Sequence, residues 1–150
     1  MMVSRWIQDP SPVWDLIRPY LVDNGNQVVE RGLFAGVFDF DSQEKPMAGA
    51  FYLKPWTDYC YEIHGGVAKG YWGQGPGVCF SAGKLVFEQT SCLKLVAIIP
   101  EFNRLMIACV QKCGMRYEGL ISKSFMKWCR LHNQHIYGIT KGEFQCLPQQ

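Results

Sequence analysis

The sequence predicts a single α/β domain in which a mostly antiparallel sheet is flanked by helices. Runs rich in aromatic and aliphatic residues at 33–40, 47–53 and 58–68 are separated by short turns, as in an antiparallel meander. After these runs the pattern changes to helical spacing, interrupted by short apolar strands. With 150 residues, 48% of them hydrophobic, the chain has the size and apolar content of one domain spanning residues 1–150.

The first half is predicted to begin with a helix. Ser11 would be its N-cap and Pro12 its first helical residue, and the cluster 23–26 is a polar turn. The three strand-like runs follow. A second helix is predicted to begin at Val78, because apolar residues then recur on one helical face.

The second half is predicted to contain a buried strand, a helix and a final pair of strands. The run 94–99 is apolar and ends at a proline, Asn103 caps the next helix, and Gly114 ends it. The last two strands and the polar turn between them are predicted at 117–127, 134–140 and His132-Asn133.

The loop before Val78 is unusually rich in glycine, with four glycines among residues 70–77. A helix N-terminus carries unpaired N–H groups and positive potential, and glycines let a ligand approach the backbone closely. The loop therefore predicts an anion site, typically for phosphate. It lacks the G-K-[ST] ending of a P-loop and the G-x-G-x-x-G opening of a dinucleotide fold. A tight turn without a ligand is the alternative, which we rank lower because so many glycines weaken a turn.

Residues 71–77 read Y-W-G-Q-G-P-G. This segment resembles the [QR]-x-x-G-x-[GA] turn of the GCN5-related N-acetyltransferase (GNAT) superfamily, which binds the pyrophosphate of acetyl-CoA. The likeness continues at Asn103, at 112–115, which is similar to a k-x-G-F helix ending, and at the E-G pair 118–119. It covers about residues 33–144. It implies a mixed, mostly antiparallel sheet with a cofactor cleft where the fourth and fifth strands splay apart.

The resemblance implies a role for acetyl-CoA as cosubstrate. Asn103 would touch the pantetheine arm near the thioester. The backbone of Gly66, Val67 and Ala68 would pair with this arm like an added strand. The residues whose backbone N–H groups would face the pyrophosphate are Gly73, Gln74, Gly75, Gly77 and Val78.

Three residues depart from the family pattern. Trp72 replaces the leading Gln or Arg, and Pro76 has no N–H to donate. Val110 stands where many members carry a Tyr that protonates the departing thiolate. A general acid contributes about 10²–10⁴-fold to a rate. Because a thiolate is a stable leaving group, these degraded motifs slow an enzyme without forbidding it.

Glu62 and His64 are the candidate catalytic bases. They lie two residues apart on one strand and so share a face, and the family often places a Glu or His there. His64 has a suitable pKa, whereas Glu62 would need burial to raise its pKa. A core histidine and a solvated glutamate are the equally weighted alternatives. The residues expected to line the acceptor cleft are Trp56, Tyr59 and Trp72.

Two functional hypotheses follow. The first is an N-acetyltransferase that acts on a primary amine of a small molecule or protein. The second is a non-catalytic member of the fold, since the chain is similar in layout to small acetyltransferase-like proteins of tailed bacteriophages, some described as head-assembly or virion proteins. Its partner would then be a virion protein. A homodimer through the C-terminal strands is a further expectation.

Charge, apolar runs and cysteine spacing narrow the functions and the cellular location that we expect. A net charge of +2 with scattered Lys and Arg gives no support for nucleic-acid binding. The strongest apolar run, 95–99, is too short to cross a membrane, and residues 1–10 lack a secretory signal, which predicts a cytoplasmic protein (host cytoplasm for a phage). The seven cysteines lack paired spacing and no His lies near a Cys pair, so no metal site is expected. Cys109 and Cys113 are interpreted as buried structural residues.

Overall fold

The computed structural model describes residues 1–18 and 32–148, and within them seven strands form one sheet. The sheet order is β1-β2-β3-β4-β5-β7-β6, and every neighbouring pair is antiparallel except β4 and β5, which are parallel. This confirms the predicted mixed, mostly antiparallel sheet, while the predicted turn at 23–26 lies outside the described residues. The strands are β1 Met2–Ile7, β2 Leu33–Asp39, β3 Met47–Pro55, β4 Cys60–Val67, β5 Lys94–Pro100, β6 Arg116–Lys127 and β7 Arg130–Thr140.

Helices cover both faces of this sheet. Alternate residues of β3 point to opposite faces, so that Phe51 packs in the larger core with α2, whereas Tyr52 packs with α1. None of the helices among the described residues is long and apolar enough to span a membrane. The helices are α1 Ser11–Ile17, a 3-10 helix Lys69–Gln74, α2 Gly75–Gln89, α3 Arg104–Lys112 and α4 Lys141–Gln145.

The N-terminal segment differs from the prediction. Residues of β1, which the sequence did not predict, pair with β2 in a continuous register from Met2↔Asp39 to Ile7↔Phe34. The prediction of Ser11 as an N-cap was wrong by one residue, because Pro10 is the N-cap and Ser11 is already helical. The carboxylate of Asp9 accepts the Ser11 N–H at 3.0 Å and its hydroxyl at 2.7 Å, which stabilises this helix start.

Helix α2 begins at Gly75, three residues before the predicted start at Val78. Residues predicted as an open loop form a 3-10 helix that runs directly into α2. Pro76 lies in the first turn of α2. An N–H at this position would have no acceptor within the helix, so proline loses no helical hydrogen bond here. The segment can be helical despite its glycines and proline, because Pro76 lies in the first turn, where helices tolerate proline.

The last two strands form a hairpin with a shorter turn than predicted. Trp128 and Cys129 have φ angles of 50° and 56°, and Lys127 pairs with Arg130, as in a two-residue type I′ turn. The predicted turn at His132-Asn133 was wrong, because both residues lie within β7. His132 is 1% exposed, and its Nδ1 lies 3.5 Å from a carboxylate oxygen of Glu101.

A cleft opens between the two parallel strands. β4 and β5 pair at Cys60↔Lys94, Tyr61↔Leu95 and Glu62↔Val96, and along the rest of these described strands the pairing stops. Residues 63–67 of β4 therefore have a neighbouring strand, β3, on one side only. The predicted splay of the fourth and fifth strands is confirmed, because with β1 counted the runs predicted at 58–68 and 94–99 become β4 and β5.

Candidate functional site

A mostly apolar cavity of about 150 Å³ lies at this splay. Its walls come mainly from β4, β5, α2 and α3, with single residues or pairs from α1, β3, β6, β7 and α4, and it lies where the two strands part. His64 and Asn103 contribute polar groups to a lining that also contains Val110. A largely apolar pocket with a few convergent polar groups is the usual form of a binding site for a small organic molecule.

Glu62 and His64 form a bonded pair on β4, as their shared face predicted. The Nε2 of His64 lies 2.6 Å from Oε1 of Glu62, and the indole Nε1 of Trp56 donates to Oε2 at 2.7 Å. Both carboxylate oxygens thus have a donor. Glu62 is 8% exposed and His64 lines the cavity, so the imidazole stands between the carboxylate and the cavity.

The pKa of Glu62 moves in the direction opposite to the one expected. Burial tends to raise this pKa, but the hydrogen bond and charge of His64 and the hydrogen bond from Trp56 lower it below its usual value. Glu62 is therefore a carboxylate at neutral pH. Its contact with Nε2 of His64 orients the imidazole ring, so that Nδ1 is the ring nitrogen left free of Glu62. The ring also stacks on Tyr52, with centroids 5.9 Å apart.

The glycine turn offers fewer free donors than the sequence implied. The N–H of Gly75 donates to the carbonyl of Trp72, and Gln74 is the N-cap of α2. Val78 is fully buried and stands where intrahelical bonding begins. By contrast, Gly77 lies in the first turn, where an N–H has no i−4 acceptor within α2 itself.

The space around this turn fits the close approach of a phosphate. A Cβ built on Gly73 or Gly77 would meet no other atom within 4 Å, so the backbone is open at both positions. A Cβ on Gly75 would instead lie 3.2 Å from Sγ of Cys109. Gly75 is therefore needed for the packing of α2 on α3, and Gly77 is the turn residue best placed to face an anion.

Some backbone groups at the end of β4 are already hydrogen-bonded within the protein. The N–H of Ala68 donates to Ala48 at 2.8 Å, so this residue faces β3, and by strand alternation Gly66 does too. Val67 faces the open side of β4. Its carbonyl accepts the indole N–H of Trp72 at 3.1 Å, so the side chain that replaces the family's Gln or Arg occupies one predicted contact of the pantetheine arm.

Asn103 combines a structural position with a cavity-lining one. As N-cap of α3, its Oδ1 accepts the N–H of Met106 at 3.3 Å, which confirms the predicted cap. It also lines the cavity. Gly114 follows α3 with a φ of +81°, the left-handed conformation expected of a helix-ending glycine.

The aromatic residues expected to line the acceptor cleft are not among those that line the cavity. Trp56, Tyr59 and Trp72 are each about half exposed or more, at 49%, 59% and 53%. Trp56 acts on the site through its bond to Glu62. The cavity is formed by smaller apolar side chains, which the sequence pattern placed in the core.

Three cysteines that the sequence left apart meet in the structure. The sulfur atoms of Cys79, Cys109 and Cys113 all lie within 4.8 Å of one another. Hydrogen bonds from the other two thiols lower the pKa of Cys109, while the same contacts contribute to raising the pKa of Cys79 and Cys113. The sequence did not predict this cluster, because spacing along the chain does not show which helices pack together.

Comparison with known proteins identifies the fold. No family model matches the chain, and no curated protein matches it. Among solved structures, a spermidine N-acetyltransferase from Vibrio cholerae, in complex with CoA and spermine, superposes with a TM-score of 0.75 at 12% identity over 96% of this chain and 98% of that one. The chain has the GNAT fold.

Two further GNAT structures support this assignment. A GNAT-family acetyltransferase from Elizabethkingia anophelis with acetyl-CoA bound gives a TM-score of 0.70 at 16% identity, over 93% of this chain and 97% of that one. A GNAT-family acetyltransferase from Bacillus anthracis gives 0.63 at 19% identity, over 73% of this chain and 66% of that one. At identities this low, the similarity of the structures shows a shared GNAT fold and nothing beyond the fold.

Proposed function

We propose that the chain is an acetyl-CoA-dependent N-acetyltransferase that acts on a primary amine. The observation that carries the proposal is the Glu62–His64 pair on the wall of the cavity between β4 and β5. Among the proteins that share this fold, one is named for spermidine acetylation and binds CoA and spermine.

The pair supplies the base that the reaction needs. The amine nitrogen attacks the thioester carbonyl carbon, and His64 takes the proton that the nitrogen loses. Glu62, ionised because its neighbours lower its pKa, stabilises the imidazolium that forms. The carbon–sulfur bond then breaks and the thiolate leaves with the electron pair. Val110 cannot protonate the thiolate, so a water from the cleft does, and the hydroxide that remains takes back the proton that His64 had accepted.

The cosubstrate is held by backbone groups in this proposal. The first turn of α2 presents its positive end and the Gly77 N–H to the pyrophosphate. The pantetheine arm lies along the open side of β4 at Val67, with Asn103 beside the thioester. Gly73 contributes open space, and the amides of Gln74 and Gly75 contribute less, since the Gly75 N–H is already bonded.

The first test is acetylation of a panel of primary amines, including a polyamine and a lysine peptide, with the product measured by mass spectrometry. His64→Ala removes the base and is expected to lower kcat by about 10²–10⁴-fold. His135→Ala is the matched control, because His135 lies on β7 and does not line the cavity. Equal rates for His64→Ala and wild type would exclude this role for the pair.

A second candidate function is a protein–protein assembly role. Strand β6 lies at the end of the sheet and exposes Leu120, Ile121 and Met126. Exposed apolar groups on an edge strand favour a protein partner. A virion partner and a phage head-assembly role stay predictions. Co-purification with a structural protein, undisturbed by Glu62→Gln and His64→Ala, would favour this function over the enzyme.

A further inference from the structure

The cysteine cluster is built by the packing of α2 against α3. Cys109 and Cys113 are one helical turn apart on α3, so their side chains share a face, and Cys79 approaches them from α2. The Sγ atoms of Cys79 and Cys109 are 3.4 Å apart, and Sγ of Cys113 lies 3.3 Å from the Pro76 carbonyl. The three sulfurs thus converge on one point beneath the first turn of α2.

The spacing of the sulfurs suits a metal ion. A zinc–sulfur bond of about 2.3 Å in tetrahedral geometry separates two sulfurs by about 3.8 Å. The three sulfurs here lie within 4.8 Å of one another, so a small adjustment brings all of them into bonding distance. Among the described residues, no carboxylate or imidazole joins the cluster. An all-thiolate set selects soft cations such as Zn²⁺ and Cu⁺ over Mg²⁺ or Ca²⁺.

The cluster is accessible from the cavity. Cys79 and Cys113 line it, so an ion has a route inward and water has a route to an open coordination position. Gly75 keeps the space beside Cys109 free, since a Cβ there would already lie 3.2 Å from its sulfur.

We propose that Cys79, Cys109 and Cys113 bind one thiophilic d¹⁰ cation. Zn²⁺ would take a cavity water as its fourth ligand, and Cu⁺ would need the three sulfurs alone. The thiols release their protons on binding, so affinity rises with pH. The site lies on the opposite side of the α2 first turn from the open face at Gly77. It borders the cavity that His64 lines, but the inference does not rest on the proposed acetyl transfer.

The experiment titrates the reduced, full-length chain with Co²⁺, whose thiolate complexes absorb in the near ultraviolet. Zn²⁺ is then added to displace Co²⁺, and a separate titration with Cu⁺ against a chromogenic chelator distinguishes the two cations. We expect saturation at one ion per chain and a higher Tm with the metal. Cys109→Ser should lose both effects, whereas Cys146→Ser should keep them, because Cys146 is exposed and outside the cluster.

Folding of each variant is checked by circular dichroism. If Cys109→Ser fails to fold, Cys79→Ser takes its place. The proposal is overturned if the folded, reduced wild type binds none of the three ions. It is also overturned if Cys109→Ser binds as tightly as Cys146→Ser, or if mass spectrometry of the reduced preparation finds a Cys79–Cys109 disulfide that removes two of the ligands.

Discussion

At the scale of single residues, the most informative feature is a carboxylate that is buried yet fully bonded. Glu62 has Trp56 on one oxygen and His64 on the other. A buried carboxylate with two donors is stable as an anion and costly to protonate. The same arrangement that orients His64 in the proposed reaction therefore contributes to the stability of the folded protein.

This arrangement predicts a pH-dependent stability. The pKa of Glu62 is lower in the folded than in the unfolded protein, so its contribution is present above the unfolded pKa and is lost as pH falls through the folded one. Glu62→Gln should lower the free energy of unfolding by about 1–3 kcal/mol at pH 7 and flatten its decline at acid pH. Urea unfolding between neutral and acid pH measures both effects.

Glu88→Gln is the matched control, because Glu88 is exposed in a loose ion pair with Lys84, with 4.0 Å between charged atoms. An equal loss of stability in both variants would show that Glu62 has no special role. The sequence predicted that Glu62 and His64 share a face, because strand periodicity alone decides that. It did not predict the bond from Trp56, which depends on how the turn after β3 folds back over β4.

At the scale of elements, a substitution in the first turn of α2 tests the proposed anion site. Gly77→Glu would place a side chain and a negative charge on the open face of this turn, with no atom within 4 Å to displace. We expect the affinity for acetyl-CoA to fall by at least about tenfold, since like charges a few ångströms apart repel by several kcal/mol near a protein surface. Calorimetry measures the change.

Gly142→Glu provides the control for that substitution. Gly142 is exposed on α4, and a Cβ there also meets nothing within 4 Å. A folded wild type without measurable acetyl-CoA binding would instead indicate that Trp72 and Pro76 have disabled the site. Equal affinities for Gly77→Glu and Gly142→Glu would place the pyrophosphate elsewhere.

The same scale shows which elements the sequence predicts well. The runs that became β2, β3 and β4 were recognised because aromatic and aliphatic residues cluster between turns. Strand β1 was missed although Val3, Trp6 and Ile7 favour strands, because the apolar residues of Met2–Ile7 do not alternate with polar ones and its pairing with β2 is not visible in the sequence. The final turn was misplaced because Trp128 and Cys129 adopt positive φ angles that usually belong to Asn and Gly.

At the scale of the whole molecule, the exposed edge of the sheet predicts self-association. β6 has no partner strand beyond it among residues 1–18 and 32–148, and Leu120, Ile121 and Leu131 are exposed at this end. We expect a homodimer in which two copies pair at β6, because an unpaired apolar edge is a template for another strand. Ile121→Asp should shift the protein toward monomer in light scattering.

Leu105→Asp adds the same charge at an exposed apolar residue of α3, away from β6. It should leave the dimer weakened much less than Ile121→Asp does. A monomeric wild type at micromolar concentration would contradict the prediction. The cysteine cluster belongs to this scale too, since only the packing of α2 on α3 brings its members together.

The parting of β4 and β5 leaves the sheet with an edge inside itself. Beyond the Glu62↔Val96 pair, the amides of Gly65 and Val67 point away from β3 to the side of β4 that has no neighbouring strand. In deuterated water these amides should exchange faster than that of Tyr61, which lies in the paired part of the strand. An extended molecule that settles in the gap would act as the missing strand and slow their exchange, so the isotope pattern along β4 would trace how far that molecule reaches.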